Sequence, residues 1–413
     1  MDEVMTAKQI HSLEKQLDDF LNKFSECFGR CEMRTHLSQY VRGQLAQLHR
    51  KTIESLAEHA HIPPRTLQQF LAQRRQWEHT QMCDCLQRIV ASNHDHPHSI
   101  GLFDETSIPK KGNKTPGVQR QWCGYNGKVE NCVTSVHLGY VAGDFHCLLD
   151  HEVYLPKSWH EDRDRCRAAG IPDDVEYRPK WQIALTQRDR AVENGVQLQW
   201  IGGDEGYGRI PQLHTALSDR SQRYVFEVPR NFYGYCALPK VLQRHLSEPI
   251  ASDKLPEHEP LQVKTVETLF HQSPAFCHQR WEDFHIKDSV NGPVLWQAKC
   301  ACFFFNCDGQ LSNAHWLIVA RNALDHDEVK FFVSNGPAGT PLEVLLHVAF
   351  NRWHIERCFE DEKQQLGLDH YEVRTWTGVH RHLIITAVSH LFLADQLQKR
   401  GKKRAIVDDL SAA

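Results

Sequence analysis

The chain is predicted to be a mixed α/β (α+β) protein that begins with a purely helical segment. Two observations carry this. Over residues 1 to about 92, Leu, Ile and Phe recur with helical periodicity, glycine is scarce and no alternating strand pattern occurs. Beyond the polar break NHDHPH, Asn93 to His98, apolar runs of strand length are interleaved with helical stretches.

The elements follow in order. Within the helical segment, HIPPRTLQQFLAQRRQW has a proline-led helix start and carries Arg65, Arg74 and Arg75. A helix-turn-helix and a plain helical bundle both fit it. SIGLFDE, VTSVHLGYVAG and FHCLLDHEVYLP then read as three strands, the last two joined through Gly143-Asp144 as a hairpin. RPKWQIALTQRDRAVENG reads as a helix ending at Gly195, VQLQWIG as a strand, PQLHTALSD as a helix and RYVFEVP as a strand. Residues 235 to 335 contain LWQAKCACFFF, HWLIVAR and KFFVSNG, whose aromatic and β-branched content predicts further strands. The strand pairing is beyond what periodicity can settle.

Two of the predicted strands stop on an acid, at Asp104 and at Asp204. In AFNRWHIERCFEDEKQQLGLDHY, Arg352, Glu356 and Lys363 are spaced by four and then seven, which a helix of about 3.6 residues per turn brings to one face. Ile355, Phe359 and Leu366 border that face, so these charges sit at the edge of a core, where an unpaired charge is costly and a metal or phosphate partner is expected. Against this stands the bland reading of an ordinary Arg/Glu pair on the wet side of a helix. Three carboxylates from two strand ends and a helix suit divalent cations and phosphoryl transfer on nucleic acid. Glu360, one turn beyond Glu356, is the rival third acid, whereas Glu105 and Glu205 follow their aspartates and should point to the opposite face.

RWHIERCFEDEKQQLG, FDETSIPKKG and GGDEGYG, in this order, resemble bacterial insertion-sequence transposases with an Asp-Asp-Glu active site and a Tyr-Arg-Glu-Lys signature, of the IS-seven-zero-one lineage, related to IS-four. The resemblance covers most of the chain after about residue 90. It implies a ribonuclease-H-like catalytic core, whose element order of three strands, helix, strand, helix, strand is the one read above. With it, 93–234 read as the first part of the core, 235–335 as a β-rich insertion and 336–398 as the catalytic and C-terminal helices, while the residues themselves give 1–92 as a helical DNA-binding domain and 399–413 as a basic tail. Asp104, Asp204 and Glu356 would hold two Mg²⁺ (or Mn²⁺) ions, with Arg352 and Lys363 on DNA phosphates. Where the signature has Tyr, this chain has Ala349. The implied activity is binding of terminal inverted repeats followed by strand cleavage and transfer into target DNA, by a chain that dimerises when two ends are synapsed. An aromatic clamp for a flipped base is implied too, with Trp296 and Trp316 as candidates.

Composition limits these readings. A formal net charge of −4 over 413 residues excludes a generally basic DNA binder, so affinity must be local. Lys110, Lys111, Lys114 and Arg120 follow Asp104 directly, and Lys399, Arg400, Lys402, Lys403 and Arg404 form a second run; either could be solvated charge, but the first adjoins an acid of the triad and is the stronger candidate for DNA contact, with Arg74 and Arg75 of the helical segment as further candidates. The 14 cysteines lack paired CxxC spacing and the 27 histidines include no HExxH, so neither a structural zinc site nor a zinc hydrolase is predicted. No apolar run spans a bilayer and MDEVMTAKQIHSLEKQL is no signal peptide, which predicts a cytoplasmic, nucleoid-associated protein with free thiols. Two other functions stay open: an inactive regulator that occupies the ends without cutting, and a nuclease of the same fold without strand transfer. The part of the chain after Asn93 is expected to fold without the helical segment.

Overall fold

The computed structural model describes residues 7–73, 77–236, 263–289 and 292–411. The chain divides into two compact units, Met1–Leu198 with Trp353–Ala413, and Gln199–Arg352. Together they make a mixed α/β protein with an N-terminal helical region, as the sequence predicts.

In the first unit, five helices (Ala7–Asn22, Cys31–Leu45, Ile53–His59, Pro64–Ala72 and His79–Asn93) precede any strand. Local chemistry sets their starts: Thr52 Oγ1 accepts from the Ser55 N–H at 3.4 Å, and Pro64 occupies the first turn, where a missing N–H costs nothing. Their apolar faces close on the long helix Trp376–Ser411. Phe20 meets Phe392 at 5.5 Å between ring centroids, and Tyr40 Oη bonds His382 Nδ1 at 2.8 Å. Buried Gln44 donates to Thr386 Oγ1 at 2.8 Å and accepts from Ser389 Oγ at 2.8 Å. Arg381, fully buried, caps the end of Pro64–Ala72 by donating to the carbonyls of Phe70, Leu71 and Gln73 at 3.2, 3.1 and 2.8 Å, and to that of Trp77. This interlocking argues against independent folding of the chain after Asn93, because the C-terminal helix would be left with buried polar groups and no partners.

Four antiparallel strands follow: β1 (Ile100–Pro109), β2 (Gln119–Cys123), β3 (Lys128–Ala142) and β4 (Phe145–Val153). β3 pairs with each of the other three, and Gly143, at φ 63°, makes the expected two-residue turn into β4. From Cys132 onward β3 is buried along its whole length, because helices cover it. Helix Lys180–Glu193 reaches it through Gln187, which donates to the Val136 carbonyl at 2.9 Å. Helix Trp353–Asp361 packs at Gly139, where an added Cβ would stand 3.0 Å from Ile355 Cδ1. A Cβ there would be in tight contact and Ile355 would have to give by a few tenths of an ångström.

The second unit is a sheet with one parallel pair. β5 (Trp200–Gly203) runs parallel to β6 (Tyr224–Val228) around helix Pro211–Asp219. After a short ladder of β7 (Tyr233–Gly234) and β8 (Lys264–Thr265) come β9 (Glu282–Ser289) and β10 (Gly292–Phe303). A second short ladder, β11 (Asn306–Cys307) with β12 (Gln310–Leu311), precedes β13 (His315–Asn322) and β14 (Val329–Ser334). β14 pairs antiparallel with β6, and β13, β10 and β9 follow outward, so the β-rich segment extends the β5–β6 sheet instead of forming a separate layer. Phe232, Phe303, Phe305 and Phe331 fill its core. Strands β1, β3, β4, β5, β6, β10, β13 and β14 coincide with the predicted runs; β2 and β9 do not appear among them.

Candidate active site

The pleat of β1 decides where its acid points. In antiparallel register Asp104 faces His137 and Leu102 faces Gly139, and opposed residues share a side of the sheet. That side is the one helix Trp353–Asp361 covers, since Ile355 approaches Gly139 and Phe359 meets His137 edge-on with ring centroids 5.0 Å apart. Asp104 is thus directed to the helix that bears Glu356. Its Oδ1 accepts from the Glu105 N–H at 2.7 Å, while the Glu105 carboxylate, on the opposite side as alternation requires, is bound to Lys180. Burial and the charge of Lys363 push His137 down to about 3, so this ring is neutral and its Nε2 bonds Ser135 Oγ at 2.7 Å.

The Arg352–Lys363 segment departs from the single helix that the spacing predicts. Helix Leu342–Phe350 is capped at Asn351, Arg352 lies in the turn after it, and a new helix starts at Trp353. Glu356 stands exposed in the first turn of Trp353–Asp361, and Lys363 lies in a π-helical turn, Glu362–Leu366. One α-helical face therefore does not carry all three. The wide turn has visible causes. Gly367, left-handed at φ 73°, and Leu368 both return their N–H groups to the Glu362 carbonyl. From the N-terminal helices, Gln44 Nε2 donates to the Leu366 carbonyl at 3.2 Å, and the buried Lys51 ammonium donates to the carbonyls of Gln44 and Gln365.

Lys363 is half-buried, with its ammonium 5.1 Å from the Tyr125 ring. Burial lowers its pKa, opposed by the charges of Asp369, Cys123 and Asp104. Of the two rival acids, Glu360 is taken up by Arg357 at 3.0 Å and Gln364 at 3.0 Å. Its position is accounted for by helix-surface pairing alone.

Asp204 belongs to the second unit, at the end of β5. It caps the four-residue helix Glu205–Gly208, its Oδ1 accepting from Gly206 N at 2.9 Å and Tyr207 N at 3.3 Å. The turn is tight because Gly208 lies on β6: an added Cβ would be 1.8 Å from the Glu227 carbonyl oxygen. Asp104 and Glu356 fall in the first unit and Asp204 in the second. Among the described residues no three His, Cys, Asp or Glu side chains are gathered as a metal cage. The proposed donors are carboxylate oxygens only, a set that suits Mg²⁺ or Mn²⁺ and not thiolate-preferring ions. The cysteines are all free.

The basic residues after Asp104 separate. Lys110 turns inward: its ammonium donates to the Tyr371 carbonyl at 2.7 Å, lies 3.5 Å from the Tyr371 ring, and is pulled down to about 8 by burial. A phosphate contact at Lys110, expected from the sequence, would compete with this internal one. Lys111, Lys114 and Arg120 are exposed. Arg74 and Arg75 lie outside the described residues, as do the side chains of the basic tail beyond Lys399, which itself pairs with Asp395 at 2.5 Å. Trp296 is buried against Phe350 at 4.7 Å, and half-buried Trp316 bonds the Gly336 carbonyl through Nε1 at 2.9 Å. Sequence reasoning missed the β2–β3 hairpin, although Asn126-Gly127 between QRQWC and KVENCV is a hairpin signal.

Comparison with known proteins gives the family. A family model described as DDE superfamily endonuclease matches residues 23–287, which include Asp104 and Asp204 and end before Glu356. A probable transposase for insertion sequence element IS701 from Microchaete diplosiphon is 31% identical over 160 residues, 36% of this chain. The match spans 39% of that relative's length. No helix among the described residues is long and apolar enough to cross a membrane.

Proposed function

The chain belongs to the DDE superfamily of endonucleases, and from that premise we propose that it is an insertion-sequence transposase that binds terminal inverted repeats, cleaves DNA strands and transfers them to target DNA. The observation that carries the proposal is the β1–β3 register, which turns Asp104 toward the Glu356 helix. Asp104, Asp204 and Glu356 would hold two divalent ions, which when bound supply Lewis acidity to a phosphoryl oxygen and lower the pKa of an attacking hydroxyl. Lys363 would hold a phosphate as a point charge and Arg352 as a planar fork. Entry of a phosphate would also favour the charged form of Lys363, offsetting the burial that lowers its pKa. Lys180 would keep Glu105 away from the metal side, while Gln44 and Lys51 would fix the π-turn that presents Lys363. Working on two ends calls for a homodimer during synapsis.

The test is Mg²⁺-dependent cleavage of a duplex carrying the native element's end and flank. Asp104→Ala, Asp204→Ala and Glu356→Gln should each slow cutting by more than about a hundredfold, with end binding preserved because affinity rests on distributed phosphate contacts. Glu360→Gln should keep substantial cleavage. If Glu360→Gln is dead and Glu356→Gln active, the third ligand moves one turn along the helix; normal cutting by Asp104→Ala would remove the proposed site altogether.

A further inference from the structure

The β2–β3 hairpin leaves large aromatic side chains in water beside the segment that bears Lys363. In its register Trp122 faces Val129 and Arg120 faces Asn131, so these four share one side of the ribbon. Trp122 is 63% exposed, Val129 51%, and Tyr125, in the connecting turn, 59%. Rings so placed contribute little to any core. Exposed cations lie along the hairpin and the loop before it: Arg120 and Lys128 on the two strands, Lys111 and Lys114 in the loop after β1. The loop carrying Lys111 is tied to that same side, because Asn131 Nδ2 donates to the carbonyls of Lys110 and Gly112 at 2.7 Å each. At the tip, the Tyr125 ring lies 5.1 Å from the Lys363 ammonium, on which the Asp104 charge acts.

Cations alone would serve paired and unpaired DNA alike. Flat rings add a distinction, because a base inside a duplex is already stacked on its neighbours and offers only its edges, whereas an unpaired base offers a face worth about 1–3 kcal/mol on an aromatic ring. We propose that the β2–β3 hairpin binds an unpaired DNA strand, with bases stacked on Trp122 and Tyr125 and phosphates held by Lys111, Lys114 and Arg120. The strand would then be held open next to Lys363 and Asp104. This rests on the reading of the chain as a DNA-cutting transposase, and it assigns to the hairpin a step distinct from metal binding.

The experiment uses the full chain, a labelled oligothymidylate of about 20 nucleotides and a duplex of the same length, titrated at one salt concentration and again at a second. Trp122→Ala/Tyr125→Ala should weaken the single-strand complex at least about fivefold, leave duplex affinity within about twofold, and leave the salt slope unchanged. Trp122→Phe/Tyr125→Phe should restore single-strand binding, and thermal melting should be unaffected because the rings are exposed. Lys111→Ala/Lys114→Ala should weaken both complexes and flatten the salt slope. If wild type binds both DNAs and the alanine pair leaves single-strand affinity within about twofold, the hairpin proposal falls and the transposase reading stands. If the alanine pair instead changes only the oligomeric state in light scattering, the face joins two copies of the chain and the proposal falls in the same way. If wild type binds no DNA, the reading itself falls and takes the hairpin with it.

Discussion

Buried histidines give the molecule a pH limit that follows from individual side chains. His137, His214 and His382 are pushed down to about 3, 3 and 4, in each case chiefly by burial, from an ordinary value of 6.5. These rings stay neutral in the fold but take a proton in the unfolded chain once the pH drops below 6.5, so the unfolded state binds more protons there. Stability present above that pH is therefore lost as the pH falls toward 4 or 3, at up to roughly 1.4 kcal/mol per pH unit for each ring. Melting temperatures recorded between pH 7.5 and about 5 should fall steadily. A flat profile would mean that the rings are solvated or already charged in the fold.

At the scale of elements, the strongest prediction concerns Arg381. Its guanidinium donates to four carbonyls from the end of Pro64–Ala72 and the residues after it, and it lies 4.5 Å from the Trp77 ring. Arg381→Met removes these bonds and leaves buried acceptors unpaired, at a cost of more than about 3 kcal/mol in urea unfolding. A loss below about 1 kcal/mol would show that water reaches those carbonyls. Much of the element order was legible in the sequence because strand alternation and helix caps are local signals. Asp104, on a strand covered by helices, could be placed by its apolar run; the side it faces needed the register with His137, a pairing 33 positions away that no local pattern encodes. The π-turn at Glu362–Leu366 was hidden for the same reason, since it is held by Gln44 and Lys51 from the far end of the chain. Lys110 read as a surface cation because nothing nearby in sequence announces the Tyr371 carbonyl.

For the molecule as a whole, the tie between the N-terminal helices and Trp376–Ser411 fixes an order of events during synthesis. Gln44 meets Thr386, and Tyr40 meets His382, across 342 positions in each case. At about 5–20 residues per second a ribosome needs roughly 20–70 s to cover that distance, during which the first helices have no permanent partner. Ribosome-bound chains stalled before Trp376 should be digested by protease throughout residues 7–93, and the same segment should become resistant once the last helix has emerged. Early resistance would show that the helices close on themselves. A nonsense codon upstream of Trp376 would then yield only a chain cleared by proteolysis; under the transposase function proposed above, a damaged copy of the gene would fall silent instead of interfering with an intact one.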